Sequence, residues 1–358
     1  MGAIASWFRL RKATASVLAV AVIIGVPLTF AVLHQGFPVT DVDLSARDVW
    51  VTNGKQLLAG RLNRQIEELN GSVNAASSTF DVFQDGDDVF LFDGSAGSLE
   101  RVDASFTTLG QRVDVPVGSE VAFGGDTLAV MAPGSGSVWV INAGSDLNFD
   151  PKKSDPVMKL GKGGHIAVSK AGAVFGTSPL TKQLVTLART GDKPARTDLP
   201  KLGAHQVAAV GEKAVVLDTV KNRLIVDGGE PVGLPAKGLK LQQSGAENSF
   251  AVVATGEGLL EVPLGGGKAV AVSAGMERMV TDPKAVSKPV WLDGCAHGAW
   301  AGAQRYLAAC AGKKPSAQAI AQPTLGSTLE FRVNRNVIAL NNLSNGNVWL
   351  VDANMRLV

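Results

Sequence analysis

DVWVTNGKQLLAGRLN, residues 48 to 63, sets two apolar stretches on either side of a turn containing Asn53 and Gly54. Three later stretches repeat the arrangement: DVFLFDGSAGSLERVD (88 to 103), TLAVMAPGSGSVWVIN (127 to 142) and NVIALNNLSNGNVWLVD (336 to 352). Each reads as strand, turn, strand, with turns such as Asn53-Gly54, Asp93-Gly94 and Ser344-Asn345-Gly346 where positive φ is tolerated. The first apolar stretch of successive units begins near Val49, Val89, Leu128, Ala173, Ala214, Phe250, Gly298 and Val337, 36 to 48 residues apart with a mean of about 41. That period is the size of a propeller blade. Further strands flank the pairs, as in STFDVFQD (78 to 85), LEFRVN (329 to 334) and QRVDVP (111 to 116).

The expectation is an all-β domain over residues 39–358, a β-propeller of seven or eight four-stranded blades, preceded by one transmembrane helix. Eight units are counted; seven blades closed by strand exchange remain the alternative if the first and last units share strands. Runs such as FAVVA (250 to 254) and KAVVLD (213 to 218) lack strict alternation, as strands covered on both faces do. Two tandem β-sandwiches compete with this reading but require no steady repetition of one strand pair. Composition agrees: 46% hydrophobic and 18% charged residues with 41 glycines suit short strands joined by tight turns better than a helical bundle.

Ala13 to Leu33 is an uncharged apolar segment, long enough at 1.5 Å per residue to cross about 30 Å of hydrocarbon. Arg9, Arg11 and Lys12 precede it and Asp41 and Asp43 follow, which places residues 1–12 in the cytoplasm, the helix at 13–33, a linker at 34–38 and the propeller outside the membrane. A cleaved signal peptide is the alternative; the run is longer than the usual apolar region, and no small-x-small site closes it. The formal net charge is +2, and three of the basic residues lie before the span, so the propeller is close to neutral. Nucleic-acid binding, which needs clustered Lys and Arg, is therefore not expected.

VWVTN at Val49 to Asn53, echoed by VWVIN and VWLVD, resembles the motif of propellers related to the YVTN repeat and the streptogramin lyases. The span, residues 34 to 73, and DGCAHGAW from Asp293 together resemble the N-terminal part of actinobacterial surface proteins. In those proteins a membrane anchor and a propeller are followed by immunoglobulin-like or fibronectin type III repeats. The likeness covers essentially the whole chain and implies a role at the cell envelope, with no known reaction. It departs from the pattern at Val358, where no such repeats follow, so the expectation is a truncated member or the N-terminal piece of a longer product. For the lyases the resemblance implies channel-facing His and Glu with a metal, but no second motif carries those roles onto positions here.

Candidate chemistry is sparse. Cys295 and Cys310 lie in GCAHGAWAGAQRYLAACAG, on the side of the membrane where disulfides persist. If Gly302 and Ala303 form a two-residue turn, the two cysteines face each other across a hairpin, and a bridge is the leading reading. Two independent buried thiols, or a metal site with His297, are the alternatives; the latter fits no familiar zinc spacing.

His165 in GGHIAVS and His205 in GAHQVAAV lie one repeat apart near blade starts, and Glu120 in GSEVAFG holds the corresponding place one unit earlier. These three are the candidate channel-mouth binding residues, for a ligand, a metal or acid/base chemistry. The plain reading is repeat-derived polar residues that cap strands or bond loop backbone. Asp85, Asp87, Asp88 and Asp93 crowd the second unit without calcium-loop spacing and read as solvated turn residues. GGGK at 265 to 268 lacks the strand-loop-helix context of a phosphate cradle, and NRQIEELN (63 to 70) has local helical propensity but reads as an outer strand or turn.

Two function classes follow: a binding or scaffold module at the envelope, or a lyase- or hydrolase-like propeller enzyme using the channel mouth at His165 and His205. The first is preferred, with no catalytic residue, metal or cofactor expected. Its expected partners are the lipid bilayer, through one helix, and an envelope protein or glycan.

Overall fold

A computed structural model describes residues 48–322 and 324–358. The expected cytoplasmic flank, transmembrane helix and linker, and the first residues of the expected propeller, lie outside the described residues. Among the described residues no helix is long and apolar enough to cross a membrane.

Eight antiparallel sheets follow one another along the chain, at residues 48–74, 80–114, 120–159, 165–198, 205–233, 238–273, 290–319 and 329–357. They are called blades 1 to 8 below. Blades 2 to 8 have four strands in simple chain order, the first strand innermost. This selects eight blades over seven, and no described strand is exchanged between the first and last. Eight buried apolar clusters hold the ring, one between each pair of consecutive blades. Trp50, Val82 and Leu91 fill the joint between blades 1 and 2, while Tyr306, Phe331 and Trp349 fill that between blades 7 and 8. Burial of this kind contributes about 1.5–3 kcal/mol per large side chain.

The turns differ from expectation in where the positive φ falls and, at Gly302–Ala303, in length. Strand ends such as Asn53 and Leu58, or Asp93 and Ser98, are paired directly across four-residue links. The fourth residue of the link takes the left-handed conformation: Leu57, Glu67, Thr107, Lys182, Asn222 and Gln304 do so at φ 49° to 58°. Glycine fills the place at Gly97 (φ 63°), Gly136 (φ 64°) and Gly346 (φ 80°), the last as expected, whereas neither Gly54 nor Gly94 has positive φ. The Asn or Asp that closes the preceding strand initiates the turn by accepting backbone N–H groups within it. Asn53 takes Gln56 at 3.1 Å, Asp103 takes Ser105 at 2.9 Å and Asp218 takes Lys221 at 3.0 Å. Asp93 is therefore not solvated: it is 2% exposed and accepts from Ser77 and Ala96. NRQIEELN forms one such link followed by the strand Glu68–Asn74.

Blade 1 has three described strands, and its innermost, Asp48–Asn53, corresponds to the second strand of the other blades. Among the described residues, the inner edge of Asp48–Asn53 is met by side-chain amides. Gln84 accepts from Trp50 N and donates to Asp48 O, both at 3.0 Å. Asn341 accepts from Thr52 N at 2.8 Å and donates to Thr52 O at 3.1 Å. Each amide reproduces the donor and acceptor pair that a neighbouring strand would offer, so the buried backbone is satisfied. In front of this edge the inner strand of blade 8 meets that of blade 2: Asn334 exchanges hydrogen bonds with Gly86 N and O, and Arg332 pairs with Asp81 at 2.6 Å. The described inner layer therefore has seven strands within a ring of eight sheets.

Candidate functional site

The inner strands surround a cavity of about 1220 Å³. Its polar character comes from one level. Register places Asp81 opposite Phe92, Glu120 opposite Met131, His165 opposite Thr177, Gln206 opposite Leu217, Lys240 opposite Ala254 and Glu330 opposite Asn341, equivalent steps of six blades. Blade 7 contributes Lys288 at an irregular step just before Val290–Leu292. The next residue along the chain in each case is apolar, Val82, Val121, Ile166, Val207, Leu241, Pro289 and Phe331, and strand alternation turns all but Pro289 into the joint with the preceding blade. The seven polar side chains form a ring at one level, and all seven line the cavity.

Part of this ring is occupied in holding blades together. Glu120 reaches blade 4, where its carboxylate accepts from Ile166 N at 3.1 Å and meets His165 Nδ1 at 2.9 Å. Gln206 does the same for blade 6, accepting from Leu241 N and donating to Leu239 O, both at 2.9 Å. Asp81 is engaged by Arg332. The side chains of Lys240, Lys288 and Glu330 have no hydrogen bond or contact ion pair among the described residues. His165 has only its Nδ1 engaged, which leaves Nε2 available on a half-exposed ring.

Electrostatics follow from these contacts. The hydrogen bond to Glu120 raises the His165 pKa, against burial and the charge of Lys288. Burial, reinforced by Lys288, lowers that of Lys240. Burial raises that of Glu330 despite the nearby cations Arg332, Lys288 and Lys240.

Glu120 and His165 come together as a carboxylate–imidazole pair, but His205 is not the equivalent of His165. Its partner across the sheet is Asp218, one step earlier in the blade, and a one-residue step in a strand turns the side chain to the opposite face. His205 is consequently buried between blades 4 and 5. Its Nδ1 meets Gly203 O at 3.0 Å and its Nε2 meets Thr177 Oγ1 at 2.8 Å. Burial lowers its pKa, and its ring stands edge-on to His165 with centroids 5.0 Å apart. It props the His165 ring and has no nitrogen left for a ligand. The ring member at its blade is Gln206, the neighbouring residue.

Asp81, Gln206, Lys240, Lys288 and Glu330 are absent from the sequence-based candidates. The available signal was positional: in FDVF, SEVA, GHIA, HQVA, LKLQ, SKPV and LEFR the second residue is always polar and the third always apolar.

Cys295 and Cys310 are bonded to each other, S–S 2.04 Å and Cα–Cα 3.9 Å, directly opposite in the ladder. The expected register holds although the turn has four residues, Ala301 to Gln304, because a symmetric lengthening leaves its centre unmoved. With both sulfurs in the bridge, the alternative metal site with His297 has lost its thiolates. His297 Nδ1 instead bonds Tyr306 Oη at 2.7 Å. Among the described residues no three His, Cys, Asp or Glu side chains are grouped to hold a metal ion.

No family model matches the chain, and no curated protein matches it. Solved structures do match in fold. A dihydro-heme d1 dehydrogenase, NirN, in complex with DHE superposes with TM-score 0.60 at 12% identity, covering 88% of this chain and 72% of that one. BamB from Moraxella catarrhalis superposes with TM-score 0.54 at 13% identity, covering 85% and 92%. A streptogramin B lyase gives 0.53 at 11% identity, covering 74% and 91%. At these identities the likeness shows a common propeller fold alone. It bears out the resemblance to streptogramin-lyase-like propellers at that level.

Proposed function

We propose that this chain is a binding module displayed at the cell envelope, and that the polar ring in its channel is the recognition site for an envelope component, protein or glycan. The observation that carries this reading is the set of Lys240, Lys288 and Glu330, charged side chains at the cavity wall that no described group engages by a hydrogen bond or contact ion pair. Charged groups removed from bulk water cost free energy unless paired, and a ligand that pairs them recovers that cost. Tethering by the segment 13–33, with the propeller outside the membrane, and kinship with the actinobacterial surface proteins that carry fibronectin type III repeats belong to the same proposal. Their support is the span, its basic flank and the quoted sequence likeness.

A second reading, a propeller enzyme, is favoured by one observation: the Glu120–His165 pair presents a free Nε2 beside the cavity, as a general base requires. Binding is preferred because it uses the lysines and Glu330 as they stand, without a further reacting group.

The test compares the full-length chain in detergent with a Lys240→Gln/Lys288→Gln/Glu330→Gln variant, each incubated with envelope extract. A component should stay with the wild type and be lost from the variant; equal retention by both would overturn the reading. In intact spheroplasts, added protease should digest residues after His34 and leave the extreme N-terminus protected, and protection of the whole chain would refute the orientation.

A further inference from the structure

We propose that the group recognised in the channel is an oxyanion, a carboxylate or phosphate, seated between Lys240 and Lys288; this deepens the binding reading and rests on it.

The two lysines come from adjacent inner strands, and both of those strands are irregular at the lysine. In blade 6, Gly238 lies opposite Thr255 and Lys240 opposite Ala254, so Leu239 is an extra residue. In blade 7, Ser287 N bonds Ala299 O at 2.9 Å while Val290 lies opposite His297, so one extra residue falls in Lys288–Pro289. The inner strands of blades 2, 3, 4, 5 and 8 pair with their neighbours without a shift. A bulge re-aims a side chain and interrupts the ladder, and such irregularity is concentrated next to functional sites. Here it occurs in the two blades that bring like charges together.

Two ammonium groups facing one cavity repel each other, and the charge of Lys288 adds to burial in lowering the pKa of Lys240. Glu330 is the carboxylate near both, yet it bonds neither. Arg332 adds a third cation at the cavity wall. It is 8% exposed, its Nη2 holds Asp81, and its Nε–H has no acceptor. An oxyanion resting between the lysines supplies the missing negative charge and offers several acceptor lone pairs to donors that have none. Across the cavity His165 is available through Nε2 to receive the remainder of the ligand. A neutral ligand would leave the lysine pair as it is, and a cationic one would be repelled.

The experiment is titration calorimetry on the full-length chain in detergent, at constant ionic strength, with inorganic phosphate and with succinate as probes and chloride as control. One saturable site for phosphate, succinate or both is expected, and which of them binds identifies the oxyanion. Lys240→Gln and Lys288→Gln should each weaken binding at least about tenfold. Lys240→Arg, which keeps the charge, should retain it. Lys170→Gln, at a cavity-lining lysine outside the ring, should leave it unchanged. Saturation by neither probe, equal binding of chloride, or unaltered affinity in both glutamine variants would overturn the proposal. If the envelope component is still retained by the wild type and lost from the triple variant while neither probe binds, the binding reading stands and the oxyanion assignment fails. If the component is not retained either, both fail.

Discussion

Reduction of the Cys295–Cys310 bridge should lower the free energy of unfolding by roughly 2–4 kcal/mol and leave the eight-bladed fold in place. The bridge closes a local loop with a sequence separation of 15 residues, for which the chain-entropy model gives about 3 kcal/mol. The fold survives because the two strands it joins are paired along their whole length, from Cys295–Cys310 to Trp300–Arg305. Their buried side chains, Tyr306, Leu307 and Trp300 among them, also pack into the joints on either side. Protein recovered from the envelope should contain no free thiol, since the described chain has no other cysteine. Cys295→Ala should leave Cys310 reactive after unfolding. Two titratable thiols in fresh wild-type protein would contradict both the bridge in vivo and the export of the propeller.

Acid should weaken the same blade by a comparable amount. Burial holds the His297 imidazole down at about pKa 4, only partly offset by the Leu292 backbone and the Asp293 charge, against 6.5 for an unperturbed side chain. In the unfolded chain His297 takes up its proton near pH 6.5; in the folded chain it does not until about pH 4. Between these values the unfolded state binds more protons, so the contribution is fully present above about pH 6.5 and is lost as the pH falls toward 4. Its size is about 3 kcal/mol, at about 1.36 kcal/mol per pH unit. His205, lowered by burial, acts in the same direction; His165, raised by Glu120, acts in the opposite one. His297→Gln isolates the contribution, because the variant cannot titrate there. Denaturant unfolding across pH 7 to 4 should give a visibly flatter stability profile for the variant, and identical slopes for the two proteins would rule the mechanism out.

The blades were legible because their second and third strands repeat a sequence pattern that packing enforces: apolar stretches, then the Asn or Asp that starts the next turn, as in VWVTN and VFLFD. The cysteine register was legible for a similar reason, since pairing depends on where a turn is centred and not on its length. The turn type was not legible, because the left-handed residue is Leu57, Glu67 or Thr107, which advertise no such conformation, while the conspicuous Gly54 and Gly94 sit earlier in the link. The polar ring was legible only at Glu120 and His165. At that level the blades share a position and a polarity but not a residue type, and the histidine most similar in context, His205, is out of step by one residue. Repeat spacing alone does not distinguish His165 from His205; the polar-then-apolar step, His165-Ile166 against Gln206-Val207, does so, in agreement with the ladder partner of each.

The joint between blades 8 and 1 differs in kind from the other seven. Its apolar cluster is small, Val51, Leu62, Ala339, Val348 and Leu350, and it is supplemented by the Asn341 amide on Thr52 and an Arg64–Asp352 pair at 2.8 Å, while Arg332 reaches past it to Asp81 of blade 2. The disulfide lies inside blade 7 and does not cross it. The ring therefore has a clasp. Parting there would break no sheet and would convert a closed disc into an open arc, in which every blade keeps at least one neighbour, as the units of a solenoid do. The conditions that loosen the clasp also differ from those that loosen the rest. Salt screens its partly exposed Arg64–Asp352 pair, whereas cold weakens the apolar joints. A disc built this way can yield at one known place while the remaining blades stay stacked.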